Sequence, residues 1–176
     1  MRKRASLFAF SLILMLVFLG SIAACSKTSP SVEPVGPVTT MPPEMVLKIT
    51  DLKGDSWMLT ESEPVSEHGA EYAYQVAFSR ETSQSPAVGK EMVSCKAALY
   101  YHEGEAHEGF LAAIKSDVPT TGLKFGDEAF LDTRPVINGK ALIFREDNVV
   151  VWIWMNYDGD IESLAKIVEE RIAQSH

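Results

Sequence analysis

Within nine residues, from Tyr100 to Glu108, the chain sets two imidazoles, His102 and His107, among the carboxylates of Glu103, Glu105 and Glu108. Histidine is the commonest metal ligand, so zinc-type chemistry is the first to weigh. A helical zinc site takes two histidines one turn apart, at i and i+4. The spacing here is five, which on one helix turns the rings about 140° apart. A metal site therefore requires His102 to end a strand and His107 to stand on the helix that follows. On the other reading, which we adopt, Glu103 and Glu105 favour the positive end of that helix and the imidazoles face water. Asp127-Glu128 resembles a catalytic carboxylate pair only on paper, because neighbours in a strand point to opposite faces; a Gly-Asp turn entering a strand is expected instead. Asp158-Gly159-Asp160 lacks the further ligands and closing Glu of a calcium loop, and reads as a helix cap. No Gly-x-Ser-x-Gly elbow, phosphate-binding glycine loop or Cys-x-x-Cys pair occurs. No catalytic residue, resident metal or cofactor is assigned on these grounds.

The feature that does suggest binding is VVVWIWMN, residues 149–156. As a strand it carries Val149, Val151, Ile153 and Met155 on one face and Val150, Trp152 and Trp154 on the other. A strand apolar on both faces is usually covered on both. Either other elements bury both sides, or the Trp152 and Trp154 side forms a surface for a partner or an apolar ligand.

The first 24 residues read MRKR, then an apolar run without charge. This is the pattern of a secretory signal, long enough also to span a bilayer at about 20 residues. The run ends in Ile22-Ala23-Ala24-Cys25, which resembles the lipobox of bacterial lipoproteins. The resemblance implies that residues 1–24 are removed and that the Cys25 thiol carries a diacylglyceryl group. Stable anchoring takes more than one acyl chain, each buried methylene contributing about 0.8 kcal/mol. Ser26, not Asp, follows the cysteine, which by the same resemblance implies outer-membrane sorting in a cell with two membranes and an outward-facing anchor in a cell with one.

Loss of Arg2, Lys3 and Arg4 would take the net charge from −8 to −11. So acidic a chain is repelled by nucleic acid and by anionic headgroups, so nucleic acid is no expected partner and the lipid is the expected link to the membrane. With Cys25 acylated, Cys95 has no partner for an intramolecular disulfide and is expected as a small buried hydrophobe. Residues 25–44, with prolines at 30, 34, 37, 42 and 43, are expected to form a solvated linker spanning about 25 Å when flexible and roughly 60 Å when polyproline-like.

Residues 45–176 are one domain's worth of chain. Strands are expected at Trp57–Glu61, Glu71–Ser79, Met92–Tyr101, Ala141–Arg145 and Val149–Met155, with a further one around Glu128–Leu131. Glu146, Asp147 and Asn148 suit a hairpin turn between the last two. Helices are expected from about Glu105 to Lys115, and along Ile161, Leu164, Ala165, Val168 and Ile172, whose spacing makes one apolar stripe. The expected fold is α+β: a largely antiparallel sheet of about five to six strands packed by two helices. Gly54-Asp55-Ser56-Trp57, Gly126-Asp127-Glu128-Ala129-Phe130 and Phe144-Arg145 leading into Asn148-Val149-Val150-Val151 resemble a group of uncharacterised bacterial extracytoplasmic lipoproteins. These in turn resemble the small α/β sandwich domains of the PsbP and mycobacterial LpqN type. The resemblance implies a binding or accessory domain and carries over no catalytic residue.

The expected function is that of a membrane-anchored extracytoplasmic lipoprotein, non-enzymatic, binding an envelope protein or an apolar ligand. The alternative is a metal-binding protein or metal-dependent enzyme using His102 and His107. A third is a purely structural, envelope-spacing role.

Overall fold

Alternating or continuous apolar runs become strands wherever a partner strand can take their backbone groups, and here all six do so antiparallel. In the computed structural model, which describes residues 37–82, 89–114, 123–133 and 138–176, the strands are β1 (Met58–Val65), β2 (Tyr72–Glu81), β3 (Lys90–Leu99), β4 (Glu128–Asp132), β5 (Lys140–Glu146) and β6 (Val149–Met155). Their order in the sheet is β1-β2-β3-β6-β5-β4, two three-stranded meanders joined where β3 meets β6. Helix α1 (Pro42–Met45) precedes the sheet, α2 (Glu103–Ile114) links the two meanders, and α3 (Ile161–Ala173) ends the chain. This is the α+β sheet expected, with two long helices and one short one. Among the described residues no helix is long and apolar enough to cross a membrane.

The two long helices cover opposite faces. On one, α3 packs Ile161, Leu164, Ala165, Val168 and Ile172 against Val93, Cys95, Leu142, Phe144, Val151 and Ile153. On the other, Ala106, Phe110 and Ile114 of α2 pack on Ala73, Ala98, Ile143 and Val150. Central β6 is thus buried on both sides over Val149 to Val151, as its continuous apolar run requires. Cys95 lies in the first core and is fully buried. Asp160 caps α3, accepting from Ser163 N at 3.0 Å. The β5–β6 hairpin turns through Asp147, at φ 50°, with Glu146 opposite Val149.

The linker expectation ends early. Val38, Met45, Val46 and Leu47 are buried in the α3-side core, so packed structure begins at Val38, before the boundary at residue 45. Buried Asn148 fixes this segment: its Oδ1 accepts from Val38 N at 2.9 Å, and its Nδ2 donates to Val38 O and, at 2.7 Å, to Tyr100 O. Arg171 of α3 holds the same segment further along, donating to Val46 O and pairing with Asp51 at 2.7 Å. Cys25 and the signal-like run lie outside the described residues.

Candidate functional site

Cross-strand register places Trp152 between Lys96 of β3 and Ile143 of β5, and Trp154 between Ser94 and Ala141. Both tryptophans are half-buried, in contrast to the full burial of their neighbours Val151, Ile153 and Met155. Trp152 leans against the α2-side core, and the Lys96 ammonium sits 3.9 Å above its ring centroid. Lys96 is also ion-paired with Glu67. A cation held over an indole face is stabilised by the ring quadrupole, by about 0.5–1 kcal/mol at an exposed site. The result is a strip of two aromatic side chains, one bearing a fixed positive charge. Lys96 was not singled out in the sequence, because only the β3–β6 register brings it over Trp152.

The histidines go different ways. His102 is exposed at the start of α2, where its carbonyl accepts the Glu105 and Ala106 amides. His107, one turn on, directs Nδ1 to Glu128 of β4 at 2.8 Å, and Glu128 in turn accepts from Arg145 Nε at 2.6 Å. Burial alone would raise the Glu128 carboxyl, but these hydrogen bonds from His107 and Arg145 hold it below the usual carboxylate range. No group of three or more potential ligands able to hold a metal ion occurs among the described residues. The Gly-Asp turn expected to enter a strand is found, and from it both carboxylates reach Arg145, Asp127 Oδ2 at 3.0 Å from Nη1. Asp127 precedes the strand, in a bend after Gly126 at φ 49°, so alternation does not govern it.

A third arrangement, on the α3 side, has no counterpart in the sequence reading. Residues 43–49 run beside the outer strands and leave an apolar groove of about 260 Å³ between themselves and β1–β2. Val46, Leu47 and Ile49 form one wall; Leu59, Val76 and Phe78 form the other. Ile49 is 47% and Leu59 54% exposed, among the most exposed large apolar side chains described. The signal that could have found it is MVLKI, residues 45–49, four apolar residues of five directly after the prolines.

Near the end of β2, Arg80 lies 4.7 Å from the Trp57 ring centroid and 5.8 Å from that of Tyr157, paired with Glu91 at 2.6 Å. This stack locks the β1–β2 end of the sheet to the start of α3.

No protein-family model matches the chain, and no curated protein matches it. Among solved structures, the extracellular domain of PknH from Mycobacterium tuberculosis is similar in fold, with a TM-score of 0.55 at 8% identity, over 79% of this chain and 98% of that one. At that identity the likeness is one of fold.

Proposed function

We propose that this chain is a lipid-anchored extracytoplasmic domain, tethered through Cys25, that binds a protein partner or an apolar ligand without catalysing a reaction. The observation that carries the binding reading is the pair Trp152 and Trp154, half-buried side by side on a strand whose other face is wholly buried. Tryptophan is a frequent anchor of interfaces, where its large apolar area is covered by a partner. The IAAC sequence before the proline-rich stretch supports the tether, and the similarity in fold to an extracellular domain is in keeping with it.

The test is truncation of each tryptophan, read by thermal melts and by recovery of bound material from solubilised envelope. Trp152→Ala, whose ring packs on the α2 core, should cost about 3 kcal/mol of stability. Trp154→Ala should cost clearly less and should abolish recovery of the partner. A Trp154→Ala protein that melts as low as Trp152→Ala, or that still recovers the partner, would remove the strip as a binding surface.

A further inference from the structure

The groove beside residues 43–49 differs from the rest of the surface in charge as well as polarity. Acidic residues outnumber basic ones 24 to 16 in the chain, yet no acidic residue lines the groove and its one charged lining residue is Lys48. Of the carboxylates close to the lining in sequence, Asp51 accepts the Lys48 backbone N–H at 2.6 Å and pairs with Arg171, Glu61 accepts from Gln75 Nε2 at 2.9 Å, and Glu44 and Glu63 are exposed. The two hydroxyls of the lining, Ser62 and Tyr74, bond to each other at 2.9 Å and so place little further polar demand on an occupant. What is left is an apolar trough with a cation at its rim.

We infer that this groove seats a single long-chain carboxylate, a free fatty acid, with its chain along Leu47, Leu59 and Phe78 and its carboxylate at Lys48. The inference rests on the apolar-ligand reading proposed above but moves the ligand to the opposite face of the sheet from Trp152. Size favours part of one chain lying along the groove: about 260 Å³ falls just short of the roughly 300–1,000 Å³ of typical ligand sites and leaves no room for a second chain. Charge favours an anion, because a neutral hydrocarbon would leave Lys48 unused and a cationic amphiphile would be repelled by it. Exposure favours occupancy, because Ile49 and Leu59 would leave water as the chain enters.

The experiment uses membranes carrying the full chain, incubated with a palmitic acid that bears a photoreactive diazirine, without ATP or coenzyme A. After irradiation the adducts are mapped to peptides. Saturable adducts are expected on residues 43–49 and 58–62, competed by palmitate and roughly two- to fivefold less well by palmityl alcohol. Leu59→Glu should weaken capture about tenfold or more, the worth of one buried leucine contact. Lys48→Ala should weaken it roughly two- to fivefold, the scale of an exposed ion pair. Equal competition by the alcohol would overturn carboxylate recognition. Saturable adducts confined to the Trp152 peptide would overturn the groove while leaving the apolar-ligand reading standing. No saturable adduct anywhere would overturn both. Capture that rises severalfold in Cys25→Ala would assign the groove to the chain's own acyl group, and protein-to-protein crosslinks in place of lipid adducts would assign it to a second copy; either replaces the fatty acid.

Discussion

Single residues set two separable properties of this molecule. Burial pushes the Cys95 thiol up to about 12, so at neutral pH it carries no thiolate and lies out of reach of reagents. Thiol titration of the purified full-length protein then reads Cys25 directly: with Cys25 acylated, no thiol should react natively and one should react after unfolding. A native thiol lost in Cys25→Ala would show that residue to be free and would remove the anchor. Asn148 is the second such residue. Its side chain satisfies Val38 N, Val38 O and Tyr100 O in a buried position, and leaving buried polar groups unpaired costs about 1–3 kcal/mol each. Asn148→Ala should therefore lower stability by about 3 kcal/mol or more, measured by denaturant melts. Little of this was legible beforehand: Asn148 reads as a turn residue, and its partner Val38 lies 110 positions away in a stretch whose prolines suggest linker.

Among the elements, those with uninterrupted patterns were readable to within a residue or two. Strand β6 runs from Val149 to Met155 as its apolar run predicts, and α3 follows the stripe from Ile161 to Ile172. Strand β1 was misplaced, expected at Trp57–Glu61 and found at Met58–Val65, because Trp57 leaves the ladder to donate from Nε1 to Lys53 O and to stack on Tyr157. The polar residues after it are held as a strand by β2, not by their own propensity. That strand is also an open edge, blunted by Pro64, by Glu61 and Glu63, and by a bulge between Leu59 and Glu61. The seam of β5 and α3 carries a pH-dependent contact. Glu146 is raised from 4.5 to about 7, first by burial and then by Glu169, Asp147 and Asp127, with His176 opposing. A carboxyl raised on folding binds its proton more tightly in the native state, so stability falls as pH rises from about 4.5 to about 7 and is level above. Glu146→Gln should remove that slope, raising the melting temperature at about pH 8 while leaving it nearly unchanged near pH 4. A slope that persists in the variant would place its origin in another group.

At the scale of the whole molecule, the segment that leads out of the proline-rich stretch is structural. Val38, Met45, Val46 and Leu47 each bury a side chain worth about 1.5–3 kcal/mol, and together they approach the ~5–15 kcal/mol of a domain's total stability. A chain beginning at Pro37 should fold with a cooperative melt; one beginning at Ile49 should not, as circular dichroism would show. The same segment bears on how the domain meets mechanical load. If the segment is pulled from its N-terminal side, tension enters at Pro37 and falls first on the two hydrogen bonds between Asn148 and Val38 and next on Arg171 at Val46. Residues 37–49 would peel from the sheet one after another while the six-stranded ladder stays paired. Because Val46, Leu47 and Ile49 wall the groove, the same pull would pry it apart and release whatever it holds.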